Sequence, residues 1–298
     1  MSASPRAVLV TRETDFARLI AAHATRGQAE FFLRRRGQNI QSVERARDKI
    51  VEAVNQVRQC LPEDWPVAQV ARHELDRFIF AEGDFVFAIG QDGLVANLAK
   101  YLSGQPVFGV NPDPDVYEGA LAQLDPSSLK KRLSAVLKGS ARIERRTMLK
   151  AQLDDGPQLF GLNEIFIGHR SHQSARYDIT LGESSESQSS SGVIVATGTG
   201  ATGWARSIMT ATHNPLAIGP EEETAVFFAR EPWPSKSTGC AMAYGLMSRG
   251  EDVTLLSHMN DGGVVFADGM EEDRLEFSWG KTLRVSIADK TLNLVSGS

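Results

Sequence analysis

The sequence predicts an open α/β domain followed by a β-rich, sandwich-like domain. Three observations carry that expectation. In the first third, short apolar runs alternate with stretches whose apolar residues recur every three or four positions, the pattern of a sheet with crossover helices. One run, Phe85-Val86-Phe87-Ala88-Ile89, has no polar interruption, which suits a strand buried on both faces of a parallel sheet. Beyond about residue 125 the helical spacing gives way to short β-like runs separated by turn residues. The expected domains are 1–125 and 126–298.

In chain order, residues 7–10 form a short apolar strand. A helical pattern follows over 16–33, with Phe16, Leu19 and Ile20 on one face, and Gly37 stands where a C′ glycine belongs. The basic cluster Arg34-Arg35-Arg36 closes this helix, where cations offset the macrodipole. Val43, Ala46, Ile50, Val54, Val57 and Leu61 define a second helix, ended by Pro62 and Pro66. Strands are expected over 67–71, 85–89 and 107–110, with a helix over 94–102 between the last two. A connecting helix covers 128–137. Ten strands then follow, over 145–153, 159–167, 175–181, 193–196, 225–229, 253–257, 263–266, 275–279, 283–287 and 292–295. The polar, low-complexity run over 183–191 reads as a mobile hairpin loop.

Composition bounds the partners. Across 298 residues, 32 Lys and Arg face 37 Asp and Glu, a net charge of −5, which argues against nucleic acid or a polybasic membrane contact as main partner. The two cysteines, Cys60 and Cys240, give no disulfide framework and fit a reducing compartment. Residues 1–6 lack the apolar core of a signal peptide, and no run approaches 18 apolar residues. A cytoplasmic location is expected. His169 and His172 stand three apart without a third ligand partner, so no metal site is predicted.

Three segments carry candidate chemistry. Gly198-Thr199-Gly200-Ala201-Thr202-Gly203 satisfies G-x-G-x-x-G, yet no long helix follows it. A dehydrogenase fingerprint is therefore disfavoured against a nucleotide loop of another kind, built from backbone N–H groups and threonine hydroxyls. Gly90-Gln91-Asp92-Gly93 places a carboxylate at a strand-to-helix turn. It is either a site where phosphate can approach glycine backbone or an ordinary turn with Asp92 as N-cap. Asn163-Glu164 sets an amide beside a carboxylate within an apolar β segment. Strand alternation can turn only one of the two outward; the other needs partners or lines a site.

Taken together, these segments resemble the NAD kinases, most closely the mitochondrial branch and its bacterial relatives. The resemblance covers nearly the whole chain in order. It rests on the G-x-D-G turn, on Gly109-Val110-Asn111-Pro112-Asp113-Pro114 with Glu118-Gly119, on Leu162-Asn163-Glu164-Ile165-Phe166-Ile167-Gly168, on Ser190-Ser191-Gly192 with Thr197-Gly198-Thr199-Gly200, and on Arg230-Glu231-Pro232. It implies a nucleotide site between an α/β and a β-rich domain, with ATP-dependent phosphorylation of the 2′-hydroxyl of the adenosine ribose of NAD. It further implies Asp92 as general base, flanked by Gly90 and Gly93, and dinucleotide binding by Asn163 and Glu164. Thr199, Thr202, Gly203, Trp204 and Ser207 match the family's threonine-rich loop, and Asp268 with Gly269 its late D-G pair. Mg²⁺ arriving with ATP and a homodimer are also implied. Two positions depart from the family pattern: Gln91 replaces a glycine and Leu94 a threonine. They leave open a catalytically weak NAD- or NADP-binding protein, and the turn by itself also fits a kinase of a lipid or another metabolite.

Overall fold

The computed structural model describes residues 4–297; Met1 to Ala3, part of the segment read for a signal peptide, lie outside them. The chain divides into two compact units, Met1–Glu144 with Asn293–Ser298, and Arg145–Leu292.

The first unit is α/β. Its strands β1 (Ala7–Thr11), β2 (Val67–Ala71), β3 (Phe85–Ile89) and β4 (Pro106–Val110) pair in the order β2-β1-β3-β4, all parallel. The end of the chain returns here, with Asn293 and Leu294 parallel to Pro106 and Val107. The chain leaves β1 for β2 on one side and comes back to β3 on the other. The reversal of strand order therefore falls between β1 and β3, and crevices at carboxyl ends of such strands are where α/β sheets hold ligands. On one face Leu9, Phe87 and Phe108 pack with Ala53 and Val57 of α3 (Ile40–Cys60) and Leu133 of α5 (Leu129–Leu137). The helix α4 (Asp92–Ala99) is buried from Leu94 onward.

The single helix expected over 16–33 is two, α1 (Asp15–His23) and α2 (Arg26–Arg34). Ala24 takes a positive φ of 62°, and the Thr25 side chain accepts from the Gln28 N–H, capping a new helix. Apolar spacing alone carries no sign of this break, because both helices contribute to one cluster around Ala29, Leu33 and Ile40.

The second unit is a β-sandwich. One sheet runs β12 (Tyr244–Ser248), β11 (Thr224–Ala229), β10 (Val193–Thr197), β7 (Glu164–His169), β14 (Gly263–Ala267), β15 (Met270–Glu276). The other contains β16 (Thr282–Val295), β13 (Asp252–Ser257), β8 (Ala175–Leu181) and β9 (Ser184–Ser190), with β5 (Ile143–Leu153) and β6 (Gln158–Gly161). Ile165, Val195 and Phe227 of the first sheet meet Tyr177, Leu255 and Val285 of the second in one core. The opposite face of the first sheet is covered by α6 (Trp204–Ala211), through Ala205 and Met209.

Three expectations are corrected here. The serine run over 183–191 is not a mobile loop: β9 pairs antiparallel with β8 along its full length, from Leu181 opposite Ser184 to Ala175 opposite Ser190. The strand expected over 159–167 breaks at Leu162 and Asn163, because a carboxylate from elsewhere in the unit takes their amides. The strands expected over 283–287 and 292–295 are the single β16. The pairings of β10 with β7 and β11 are antiparallel, so the G-x-G-x-x-G segment opens no βαβ unit, as the sequence led us to expect. No helix among the described residues is long and apolar enough to cross a membrane. Both cysteines are free, Cys60 half-buried and Cys240 exposed.

Candidate active site

Among the described residues, Asp92 lies at a polar centre of the first unit, and Asn163, Glu164, Thr199 and Asp268 lie at one of the second. In the first unit, β3 ends at Ile89, and the turn Gly90-Gln91 feeds α4, with Gln91 as N-cap and Asp92 as the first helical residue. Gln91 gives no side-chain cap, and the first amides of a helix lack intrahelical partners, so the turn presents unpaired N–H groups.

The Asp92 carboxylate reaches the segment beyond β4. One oxygen accepts from the Ala120 N–H at 2.8 Å; the other accepts from Leu121 at 2.9 Å and Ala122 at 2.8 Å. Asn111 works on the same segment, its amide donating to the Tyr117 carbonyl at 2.7 Å and its oxygen accepting from the Asp113 N–H at 3.0 Å. The close return of this loop explains Gly109, where a Cβ would lie 2.1 Å from the Leu121 carbonyl oxygen. Between turn and loop opens a cavity of about 240 Å³, lined by Asp92, Gly93, Asn111, Tyr117 and Glu118 among others. Leu94 is buried and packs against Gly90, so it gives the cavity no polar group.

The second centre is a backbone corner between β6 and β7. Asp268, in the left-handed region at φ 53°, accepts from the amides of Leu162 (2.9 Å), Asn163 (2.7 Å) and Glu164 (3.3 Å). Its own N–H donates back to the Glu164 carbonyl at 3.1 Å. Thr197, fully buried at the end of β10, closes the other side. Its hydroxyl donates to the Leu162 carbonyl at 2.6 Å and accepts from the Gly200 N–H at 3.2 Å. The loop then passes so near that a Cβ on Gly200 would stand 2.1 Å from the Asn163 carbonyl oxygen.

This corner leaves three side-chain groups without partners. The Asn163 amide is half-buried and makes no side-chain hydrogen bond. Glu164 is 9% exposed; burial first, and the Asp268 carboxylate second, push its pKa up to about 7. The Thr199 hydroxyl is buried with no hydrogen-bond partner. Buried polar groups in native proteins are nearly always satisfied, so the buried Thr199 hydroxyl and the nearly buried Glu164 carboxyl, together with the half-buried Asn163 amide, mark a place where a ligand's donors and acceptors belong.

The remaining expected residues divide. Thr202 is exposed and donates to the Thr199 carbonyl at 2.9 Å, holding the loop. Gly203 and Ser207 are exposed at the start of α6. The Trp204 ring is stacked on Phe166, centroids 5.9 Å apart, and the Arg230 guanidinium lies 5.2 Å from its centroid, so its faces are engaged within the unit. Sequence reasoning passed over Thr197, Asn111 and Glu118 as site residues. The available signal for Thr197 was a hydroxyl ending a fully apolar strand, where a buried oxygen must find a donor or acceptor.

Fold and site together define an α/β unit with a carboxylate-bearing turn after a central parallel strand, joined to a β-sandwich with an Asn-Glu corner. No family model matches the chain. The NAD kinase of Corynebacterium diphtheriae is 31% identical over 194 residues, 55% of this chain and 59% of that protein. The NAD kinase of Heliobacterium modesticaldum is 33% identical over 132 residues, 42% and 46% of the two chains. The chain thus spans about half the length of the curated relatives it matches. Two solved structures share the fold. An NAD kinase from Archaeoglobus fulgidus in complex with ATP has a TM-score of 0.59 at 17% identity, over 98% of this chain and 94% of that one. A yeast NADH kinase complexed with NADH has a TM-score of 0.60 at 14% identity, over 98% and 83%. Over about half its length the chain is similar in sequence to NAD kinases, and it shares its fold with the two solved structures.

Proposed function

We propose that the chain transfers a phosphoryl group from ATP to the 2′-hydroxyl of the adenosine ribose of NAD, giving NADP. The observation that carries this reading is the cavity beside Asp92, where a carboxylate, unpaired helix-start amides and glycine backbone converge at the carboxyl ends of β3 and β4. The relatives named above act on NAD or were solved with ATP or NADH.

In the proposed reaction the ribose oxygen forms a bond to the γ-phosphorus while the bond from that phosphorus to the bridging oxygen of the departing ADP breaks. The hydroxyl proton passes to Asp92. An ionised carboxylate has about four lone-pair positions, and three amides occupy three of them, so one remains for the proton. Phosphoryl transfer needs positioning and charge neutralisation more than covalent help. Among the described residues no three His, Cys, Asp or Glu are gathered for a metal, and Mg²⁺ fits here as an ion carried by the phosphates of ATP. Asn163, Glu164 and Thr199 are proposed to bind the dinucleotide, with Asp268, Thr197 and Gly200 fixing their backbone. A homodimer and a cytoplasmic location belong to the same reading.

The test is an assay of purified protein with ATP, Mg²⁺ and NAD, reading NADP with an NADP-specific dehydrogenase, and with NADH as a second acceptor. NADP formation that Asp92→Asn lowers at least a hundredfold supports the reading; full turnover by that variant removes the base. The second reading, a dinucleotide-binding protein without efficient transfer, draws on the burial of Leu94 where a threonine hydroxyl was expected. Calorimetric NAD binding with no NADP formed decides for it.

A further inference from the structure

A second cavity, of about 460 Å³, lies in the sandwich unit on the outward side of β8 and β9. Its floor follows from strand alternation. Arg176 stands opposite Ser189 and Asp178 opposite Ser187 in the ladder, while the intervening Tyr177 faces the core. The serines that looked like loop filler in the sequence are therefore a wall.

The other wall is the segment after β11, and it is tied in place. The Trp233 N–H donates to the Ser189 carbonyl at 2.7 Å and the Gly239 N–H to the Ser187 carbonyl at 2.9 Å. The Ser235 hydroxyl accepts from the amides of Ser237 and Thr238, each at 3.2 Å, and the Thr238 hydroxyl donates to the Trp233 carbonyl at 2.8 Å. The geometry is thus fixed before any ligand arrives, which lowers the ordering cost of binding.

Three groups give the cavity its chemistry. The Arg176 guanidinium makes no hydrogen bond or ion pair of its own, and its planar fork suits phosphate oxygens. His258 is oriented by Asp178, whose oxygen lies 2.9 Å from Nε2. Burial opposes ionisation of Asp178, but the Ser187 hydroxyl and His258 outweigh it and hold the carboxyl below its ordinary range. An ionised Asp178 accepts only, so Nε2 carries the hydrogen. Trp233 is 71% exposed with no ring packed on it, a flat apolar face at the rim.

We propose that this cavity binds a small organic phosphate carrying a flat ring, a ligand of the mononucleotide class, with Arg176 and the Ser189 hydroxyl on the phosphate and Trp233 on the ring. The volume lies in the range of small-molecule sites. None of these residues belongs to the Asp92 or Asn163 centres, so the proposal stands whether or not the protein phosphorylates NAD.

The probe is AMP, titrated calorimetrically into the whole protein, with adenosine and inorganic phosphate as separate arms. Variants are Arg176→Ala and Trp233→Ala, both at exposed positions, and Asn163→Ala to remove any AMP held at the other centre. The expected result is a binding component that Arg176→Ala and Trp233→Ala each weaken at least tenfold and that Asn163→Ala leaves unchanged. AMP should bind more tightly than adenosine or phosphate, and the rate of NADP formation without AMP should be unaltered in the Arg176 and Trp233 variants. No AMP binding, or binding lost only in Asn163→Ala, overturns the proposal.

Discussion

Replacing Glu164 by Gln tests the electrostatics of the corner between β6 and β7 most directly. Glu164 is nearly buried, its carboxyl makes no hydrogen bond, and its pKa stands at about 7 against an ordinary 4.5. Between these two values the folded state holds a proton that the unfolded chain has released. Stability therefore falls as pH rises from about 4.5 to about 7 and levels off above. A displacement of about 2.5 pH units, at about 1.4 kcal/mol each, makes this one group a liability of about 3 kcal/mol above pH 7. Gln has the shape of the protonated acid and does not ionise. The variant should match wild type near pH 4.5 and exceed it by about 2–3 kcal/mol at pH 8. Urea unfolding at pH 4.5, 6, 7 and 8 measures it, and the difference between the two proteins at each pH cancels the titrating groups that do not interact with Glu164, leaving Glu164 and its neighbour Asp268. A difference that stays flat across this range refutes the argument. If Glu164 serves NAD, the variant should bind NAD more weakly while being more stable, the separation expected where a protein keeps a strained group for function.

Three further outcomes follow from contacts described above. Asp92→Ala removes three charge-assisted bonds, each worth about 1.5–3 kcal/mol. Amide hydrogen exchange at Ala120, Leu121 and Ala122 should accelerate at least tenfold, whereas Asp92→Asn, which keeps one acceptor oxygen, should protect them in part. Gly200→Ala drives a methyl group to 2.1 Å from the Asn163 carbonyl oxygen, so turn or corner must shift; a loss of about 1–3 kcal/mol in urea unfolding and weaker NAD binding are expected. Arg6→Ala leaves Asp84, only 1% exposed, without its bonds at 2.9 and 2.6 Å. Breaking a buried pair costs about 3–5 kcal/mol, and the one-third exposure of Arg6 reduces this to about 2–3 kcal/mol.

What the sequence showed of this fold follows from which forces are local. The buried runs of β3 and β4 and the spacing of α3 are fixed by their own apolar residues, and they appear where expected. The break at Ala24 and Thr25 was hidden because both helices feed one apolar cluster. The strand β9 was hidden for the opposite reason. Ser184 to Ser190 has no hydrophobic alternation; its order comes from pairing with β8 and from the segment after β11, neither visible in a serine run. The strand β12 turns Met247 into the core but leaves the apolar Tyr244 and Leu246 exposed, so its sequence shows no contrast between apolar and polar faces either.

The candidate site shows a related asymmetry. Adjacent Asn163 and Glu164 posed a problem for a continuous strand, since only one of them could face outward. The structure resolves it without turning either outward: Asp268, over a hundred residues away, takes the amides of Leu162, Asn163 and Glu164 and bends the chain there. Asp92 and Thr197 likewise give their side chains to distant backbone, and Asn111 gives its own to the loop that follows it. Residues that stand out in a sequence as ligand contacts are here largely the means of holding main chain in shapes it would not otherwise adopt. A ligand is then left with the groups those clasps expose, namely the Asn163 amide, the Glu164 carboxyl, the Thr199 hydroxyl and the first amides of α4. Substituting a clasp should therefore disturb backbone protection and binding together, whereas Asn163→Ala or Thr199→Val should weaken binding with amide protection unchanged.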